Sequence, residues 1–217
     1  YIKSTPSQLF TLTSAINFHR IGETRSLKKI FTGGEAIKTD DLLKFREINS
    51  DIKFINHYGP TESTIGCITH EILDLVSFKE QPIIGSPIHN TAIYILDKNK
   101  QPAPIGVDGE IHVSGAGLAT TYMNQPELYG EKFIENPFSG GLMYATGDIG
   151  RWTSEGTIQF LGRIDDQVKI RGYRVETKEI ENILKSFETI QDAVVIVVKD
   201  SDGNNSLCAY LVTENSD

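Results

Sequence analysis

The segment at positions 56–62, with the sequence NHYGPTE, brings an aromatic ring, a hydroxyl and a carboxylate close together in the chain. The ring of Tyr58 can stack on a base, the hydroxyl of Thr61 can bond a phosphate oxygen, and the carboxylate of Glu62 can hold Mg²⁺. These groups predict a site for a nucleoside triphosphate. The alternative is a polar surface turn that contains a structural tyrosine.

The elements predicted to position this segment belong to an open α/β sheet. The apolar run Ile52–Ile55 predicts a buried strand, after which Gly59-Pro60 breaks regular structure. Upstream, Ser4-Thr5-Pro6 predicts a helix start, Lys28–Thr32 a strand, and Thr39 the cap of a second helix. This order is typical of a parallel sheet, in which ligands bind at the carboxyl ends of the strands.

Beyond Pro82 the pattern changes to short β runs, with a hairpin around Thr153–Gly156. From position 165 it restarts as an α+β unit with an amphipathic helix over Thr177–Phe187. We therefore predict an α/β fold in three parts. These are a parallel α/β layer of a large domain over 1–84, a small β-rich subdomain packed beside it over 85–164, and a hinge with the first part of a small α+β domain over 165–217.

Composition excludes several classes of protein. The chain has 217 residues, of which 39% are hydrophobic, and a formal net charge of −8, which argues against a general nucleic-acid binder. The sequence contains no apolar run of about 18 residues, so no membrane span is predicted. It does not open with a signal peptide. Cys67 and Cys208 form no metal-binding pattern, so we predict two reduced, buried cysteines and a cytoplasmic protein.

Further motifs stand around the central segment in a fixed order. They are FTGGE at 31–35, GEI at 109–111, GAGLA at 115–119, YATGD at 144–148 and GRIDDQVKIRGYRVE at 162–176. With NHYGPTE they resemble the later core motifs of the amino-acid adenylation domains of nonribosomal peptide synthetases. The resemblance runs over nearly the whole chain, and it depends on the order of the motifs, since each motif alone is a weak signal.

The resemblance implies roles for individual residues. Thr61 matches the position that contacts the α-phosphate and Glu62 the carboxylate that binds Mg²⁺, so these two are the predicted catalytic residues. Asp148 matches the family's ribose-binding aspartate, and Arg163 an arginine on the ribose or phosphate side. The full set of predicted nucleotide-binding residues is Gly33, Gly34, Glu35, Asn56, His57, Tyr58, Asp148, Arg163 and Lys169.

Several of these residues also have a plainer interpretation. Gly33-Gly34 can be a simple glycine turn, and Asp148 a turn aspartate. Arg163 can be part of a surface ion pair, and Lys169 can either hold nucleotide charge or solvate a strand. The sequence leaves these alternatives open.

The acid-binding pocket implied by the resemblance is lined by Phe31, Gly33, His57, Ile65 and Gly66. Phe31 and Ile65 would form apolar walls, the two glycines would leave room, and His57 would add one hydrogen-bonding group. This set predicts a medium or large amino-acid side chain that can carry a polar end. The alternative for His57 is a ring that faces solvent or bonds the backbone.

Two residues match positions that serve the second half-reaction of the family. Asp165 matches the hinge between the large and small domains, where a residue absorbs backbone change without doing chemistry. Gly172 is similar to a glycine that turns toward the pantetheine tunnel.

Some family features differ or are absent. Thr120 and Ala145 stand where members commonly carry Arg, and Thr177-Lys178 where Leu-Gly is usual. The Ser/Thr/Gly-rich phosphate loop and the lysine near the far end of the small domain are not in this sequence. We therefore expect the chain to be a piece of an adenylation domain, and we expect that piece to be inactive by itself.

The implied activity of the parent protein has two steps. An amino acid and ATP give aminoacyl-AMP and pyrophosphate, and the thiol of a carrier-bound phosphopantetheine is then loaded. The implied partners are the amino acid, a peptidyl carrier protein domain and neighbouring synthetase domains, with no nucleic acid and no membrane. The alternatives are an acyl-CoA or aryl-acid ligase of the same superfamily, or a non-catalytic nucleotide-binding module. The segments 85–91 and 122–128 favour the peptide-synthetase branch, and the presence of Thr61, Glu62, Asp148 and Arg163 argues against a non-catalytic module.

Overall fold

A computed structural model of the chain describes residues 1–15, 26–80, 82–165, 167–170, 173–199 and 205–213. This part of the chain divides into two units, Tyr1–Ile164 and Asp165–Asp217. Within the described residues, none of the helices has both the length and the apolar character needed to cross a membrane.

The first unit is built around a sheet of ten strands, which follow one another in the order β1-β2-β3-β4-β5-β10-β9-β7-β6, with β8 paired to β9. Its elements in chain order are β1 (Ile2–Ser4), α1 (Pro6–Ala15), β2 (Lys29–Thr32), α2 (Thr39–Ile48), β3 (Lys53–Tyr58), β4 (Ile68–Ile72), α3 (Leu75–Glu80), β5 (Ile83–Pro87), β6 (Thr91–Leu96), β7 (Gly109–Gly115), α4 (Pro126–Lys132), β8 (Phe133–Glu135), β9 (Leu142–Trp152) and β10 (Ile158–Arg163).

The first three strands are parallel, so the carboxyl ends of β2 and β3 meet at one edge of the sheet. The predicted α/β fold class is confirmed. The apolar face of this part packs in a core that includes Leu9 of α1, Ile30 of β2, Leu42 of α2 and Phe54 of β3. Burial of these side chains, each almost fully removed from water, is the main force that fixes the helices on the sheet.

Among the element boundaries that differ from the sequence prediction are those of β3 and α2. Strand β3 runs on to Tyr58 rather than ending at Ile55, because the antiparallel strand β4 continues to pair with it as far as Tyr58 and Ile68. Helix α2 begins at Thr39, which lies buried in its first turn, and Lys38 is the residue before the helix, without a side-chain capping bond.

Strand β5 joins the predicted α/β layer to the predicted β-rich region. It pairs antiparallel with β4 on one side and with β10 on the other. A second core spans this junction, with Tyr58 and Ile68 from one region and Ile93, Ile111 and Ile158 from the other. The end of β3 is therefore held by packing from both regions of the first unit.

The second unit contains two strand pairs and a helix. Its elements are β11 (Val168–Ile170), β12 (Tyr173–Val175), α5 (Thr177–Lys185), β13 (Ile190–Lys199) and β14 (Asn205–Thr213), with β11 antiparallel to β12 and β13 antiparallel to β14. The helix is tied to β13 by a bond from the backbone N–H of Val195 to the carboxylate of Glu181, at 2.8 Å. Gly172, to which the sequence assigned a role, lies outside the described residues.

Candidate functional site

The carboxylate of Asp148, on β9, accepts hydrogen bonds from two side chains, one of them from the last residue of β3. Asp148 accepts hydrogen bonds from the hydroxyl of Tyr58 and from Nη1 of Arg163, the latter at 2.6 Å. Arg163 reaches it because β9 and β10 pair in a register that places the two residues opposite each other. Only 6% of Asp148 is exposed. The carboxylate is thus fixed in place, and since each of its oxygens has a second lone pair, it can still accept two further hydroxyl groups.

Both partners of Asp148 keep their donor groups. Burial, reinforced by the charge of Asp148, raises the pKa of Tyr58 well above its ordinary value, so the phenol keeps the proton that it donates. Arg163 carries a permanent positive charge and is largely buried beside the carboxylate. Sequence reasoning predicted all three residues, but it assigned Tyr58 to the base and did not foresee its bond to Asp148.

A second buried carboxylate follows β3 in a short 3₁₀ helix, Thr61–Ser63. Glu62 is 5% exposed, and its Oε1 accepts a hydrogen bond of 2.5 Å from the hydroxyl of Tyr122. Its carbonyl oxygen accepts a bond of 2.8 Å from the backbone N–H of Ala119. Thr61, at the start of the helix, is exposed. The contact with Tyr122, which comes 60 residues after Glu62, was not predicted from the sequence.

The alternation of side chains along β3 separates the predicted residues into two groups. His57 lies on the sheet face of Ile55, the register partner of Phe31, whereas Asn56 lies on the opposite face with Thr32. Phe31 and His57, both predicted for the acid pocket, therefore share one face. Tyr58 lies on the other face, the one that carries its bond to Asp148.

Two glycines allow the chain to pass close to His57. A Cβ atom on Gly33 would lie 1.8 Å from the carbonyl oxygen of His57, and one on Gly66 would lie 1.9 Å from Cε1 of its ring. Both positions therefore require glycine in this arrangement. Burial, followed by the charge of Lys3, lowers the pKa of His57, so the ring is held in its neutral form, able both to donate and to accept a hydrogen bond.

The remaining predicted residues of this unit have contacts of their own. Oε2 of Glu35 accepts bonds from the backbone N–H and the hydroxyl of Ser7, at 3.0 and 2.5 Å, in the first turn of α1. Asn56 donates from its side chain to the carbonyl of Ile83, at 3.1 Å, which links β3 to β5. Ile65 is 64% exposed. The nucleotide contacts assigned to Gly34, Glu35 and Asn56, and the pocket contact assigned to Ile65, stay predictions.

Comparison with known proteins identifies the family. Residues 1–123 match the family model described as AMP-binding enzyme. The chain belongs to the AMP-binding enzyme family. It is 45% identical over 218 aligned residues to surfactin synthase subunit 2 of Bacillus subtilis (strain 168), covering 99% of this chain and 6% of that protein. It is 47% identical over 192 residues to tyrocidine synthase 3 of Brevibacillus parabrevis, covering 88% of this chain and 3% of that one.

Solved structures of nonribosomal peptide synthetases are also similar to this chain. A nonribosomal peptide synthetase protein containing adenylation and PCP domains, PA1221, is 29% identical with a TM-score of 0.82, over 98% of this chain and 42% of that one. A four-domain nonribosomal peptide synthetase bound to AMP and glycine is 33% identical with a TM-score of 0.62, over the whole of this chain and 16% of that one. The predicted resemblance to adenylation domains is confirmed, and the chain spans 6% and 3% of the length of these two synthase relatives.

The donor set around Glu62 is compatible with Mg²⁺. A carboxylate oxygen is a hard ligand of the kind that Mg²⁺ prefers, and this ion is commonly held by one or two carboxylates together with substrate phosphates and water. Among the described residues, no group of three or more His, Cys, Asp or Glu side chains could hold a metal by itself. A Mg²⁺ ion bound by Glu62 would therefore need further ligands besides the carboxylates of the described residues.

Two predicted residues, Asp165 and Lys169, lie in the second unit. Asp165 is its first residue and is exposed, and its Oδ1 accepts a bond of 3.3 Å from the backbone N–H of Gln167. Lys169 lies in β11 opposite Arg174 of β12. The hinge role of Asp165 and the nucleotide role of Lys169 stay predictions.

Proposed function

We propose that this AMP-binding enzyme is part of a ligase that activates an amino acid with ATP for nonribosomal peptide synthesis. The observation that carries the proposal is the pair of buried carboxylates at the end of β3, with Asp148 held by Tyr58 and Arg163, and Glu62 held by Tyr122. The similarity to subunits of surfactin and tyrocidine synthases supports an amino acid, rather than a fatty or aryl acid, as the substrate.

In the proposed first step, a carboxylate oxygen of the amino acid attacks the α-phosphorus of ATP. A new P–O bond forms, the bond to the β-phosphate oxygen breaks, and pyrophosphate leaves with the electron pair. The protein has little covalent work to do and acts by positioning and by charge neutralisation. Asp148 would accept the two ribose hydroxyls, Thr61 would bond an α-phosphate oxygen, and Glu62 would hold Mg²⁺, which neutralises phosphate charge.

The acid would bind on the opposite face of β3. Phe31 would form an apolar wall there, and the neutral imidazole of His57, against which Gly33 and Gly66 pack closely, would offer one hydrogen-bonding group. The nucleotide and the acid would then meet where β3 ends. Asn56 and Tyr58 would border the adenine from the nucleotide side.

In the proposed second step, the thiol of a carrier-bound phosphopantetheine attacks the acyl carbon, a thioester forms and AMP leaves. The partner is a peptidyl carrier protein domain, with neighbouring synthetase domains in the same cytoplasmic assembly. The similarity to a solved adenylation and PCP protein supports this part of the proposal. Asp165 would serve as the hinge between the two steps, and Lys169 would contribute charge to one of them.

The test is ATP–pyrophosphate exchange by the complete protein, meaning the whole polypeptide that carries this chain. A panel of amino acids, fatty acids and aryl acids is offered one at a time. Exchange that depends on one or a few amino acids supports the proposal. Exchange with fatty or aryl acids alone would favour an acyl-CoA or aryl-acid ligase, and no exchange with any acid would favour a non-catalytic module.

A further inference from the structure

The loop that follows β7 holds the turn that carries Glu62. We call residues 116–122 the clasp. The backbone N–H of Ala119 donates to the carbonyl of Glu62 at 2.8 Å, and the carbonyl of Gly117 accepts from the hydroxyl of Thr64, also at 2.8 Å. A Cβ on Gly117 would lie 3.3 Å from the carbonyl oxygen of Ser63, so the two backbones pass close to each other.

The turn that the clasp holds is strained. Thr64 and Ile65 have φ values of 57° and 76°, in the left-handed region that β-branched residues rarely enter. Residues in this region are energetically unfavourable and persist only where surrounding contacts fix them. The clasp supplies contacts of this kind on both sides of Ser63, which indicates that the position of Glu62 is maintained from outside its own segment.

An aromatic cluster fixes the far end of the clasp. The ring of Tyr122 packs edge-on against Phe133, which stacks on Tyr129 at 4.4 Å and lies 5.1 Å from the buried ring of Tyr144. Tyr122 is therefore held by residues of α4, β8 and β9 while its hydroxyl reaches Glu62 at 2.5 Å. Since χ1 and χ2 alone place the ring of a tyrosine, packing of the ring sets the position of the hydroxyl oxygen.

We propose that Tyr122 is a positioning residue that orients the carboxylate of Glu62 toward the metal–phosphate group of the substrate. This role rests on the proposed function, because Glu62 is the carboxylate assigned there to Mg²⁺. A hydrogen bond to an ionised group is stronger than one between neutral groups, so its removal leaves a buried carboxylate that is less well oriented. The contact joins the β-rich region to the strand end that carries the site.

The test is Tyr122→Phe in the complete protein, which removes the hydroxyl and keeps the ring in its cluster. Calorimetric binding of ATP is measured without amino acid over a series of Mg²⁺ concentrations, and exchange kinetics are measured in parallel. We expect the Mg²⁺ concentration for half-maximal ATP binding to rise about tenfold, and the KM of the amino acid to stay within about twofold, since the charge-assisted bond to Glu62 is lost together with a weaker bond between the hydroxyls of Tyr122 and Tyr144. Tyr94→Phe is the matched control, because it removes a hydroxyl bonded to Ser139 at 3.1 Å in a different aromatic pair and should change neither value.

Glu62→Gln and the double variant separate the possible outcomes. Glu62→Gln should raise the Mg²⁺ concentration needed for half-maximal ATP binding. If the double variant needs no more Mg²⁺ than Glu62→Gln alone, the two residues act as one unit and the inference is supported. If Glu62→Gln has its effect but Tyr122→Phe behaves as wild type, the positioning role is overturned while the proposed function stands. If Glu62→Gln has no effect, the metal role of Glu62 itself fails. Tyr122→Phe could instead weaken the binding of ATP and of the amino acid to the same extent, or its effect could add in full to that of Glu62→Gln in the double variant. Either result would mean that the hydroxyl acts through general stability.

Discussion

At the scale of single residues, the site depends on polar groups that are buried and hydrogen-bonded. Asp148 and Glu62 are among the least exposed acidic side chains described, and each accepts a bond from a tyrosine hydroxyl. An unpaired buried carboxylate would destabilise the fold. Hydrogen bonds from donors held in fixed positions offset that destabilisation and also orient the carboxylate. The alternatives of a turn aspartate for Asp148 and a surface ion pair for Arg163 do not describe this arrangement, because both residues lie largely buried in a network that includes Tyr58.

The first prediction concerns the imidazole of His57, on the face of β3 proposed to bind the acid. His57→Ala in the complete protein should change the ranking of accepted amino acids more than the affinity for ATP, because a site that hydrogen-bonds a substrate group discriminates more sharply than one that only fits its volume. Exchange rates over an amino-acid panel and the KM of ATP measure the two effects.

His70→Ala is the control for His57→Ala. His70 is also half-buried with a lowered pKa caused by burial, but it is the register partner of Asn56 and so lies on the opposite sheet face. An unchanged amino-acid ranking together with weaker ATP binding in His57→Ala would assign His57 to the nucleotide and contradict the pocket.

Residue roles could be predicted from sequence only where a local motif carries them. Asp148 and Arg163 stand in motifs, and the structure places them opposite each other on β9 and β10. The bond between Tyr122 and Glu62 depends instead on the path of the clasp and on the packing of Phe133, which no periodicity encodes. In the same way, the bond from Tyr58 to Asp148 joins residues 90 positions apart.

At the scale of elements, strand β3 organises the site. Successive side chains of β3 point to opposite faces of the sheet, so His57 lies on one face and Tyr58 on the other. Pairing with β2 and β4 holds the strand in this orientation. The sequence predicted this strand and its neighbours from apolar runs. It placed the strand's end too early because polar Asn56 and His57 resemble loop residues, although pairing with β4 keeps them in the sheet.

The second prediction tests the close approach of β2 to β3. Gly33→Ala would place a Cβ against the carbonyl oxygen of His57, which is backbone and cannot rotate away. We expect the free energy of unfolding to fall by about 1–3 kcal/mol, as for other overpacked positions. Urea denaturation of the complete protein, followed by tryptophan fluorescence, measures the change.

Gly130→Ala is the control for Gly33→Ala. Gly130 lies in α4, where an added Cβ would meet nothing within 4 Å. Alanine is favoured over glycine in a helix by up to about 1 kcal/mol, so this variant should be neutral or stabilising. Equal denaturation midpoints for the two variants would show that Gly33 is not packed as described.

At the scale of the whole molecule, the chain consists of two units that meet at Ile164 and Asp165. The donors Tyr58, Arg163 and Tyr122, which bond to Asp148 and Glu62, belong to the first unit. The proposed second step needs a change of arrangement between units, and a hinge residue has to absorb the backbone rotation. The sequence placed a boundary at this position from the restart of the α+β pattern.

The third prediction concerns this boundary. Asp165→Pro fixes φ near −65° and restricts Ile164 as well, so the complete protein should keep one of the two half-reactions and lose the other. Pyrophosphate exchange measures adenylation, and transfer of labelled amino acid to the carrier measures thiol loading. Asp165→Ala removes the side-chain bond to Gln167 but leaves the backbone free, and should affect both steps little. Equal losses in both steps for the proline variant would exclude a hinge at Asp165.

The central claim is that the carboxylate of Glu62 serves the adenylation of an amino acid. The measurement is amino-acid-dependent ATP–pyrophosphate exchange by the complete protein at limiting Mg²⁺, for wild type, Glu62→Gln and the control Glu127→Gln, an exposed glutamate in the first turn of α4. We predict exchange by the wild type and the control, and a rate at least about a hundredfold lower for Glu62→Gln, because a preorganised charge at the phosphates is removed with little change of volume. Equal exchange rates for wild type and Glu62→Gln would contradict the claim.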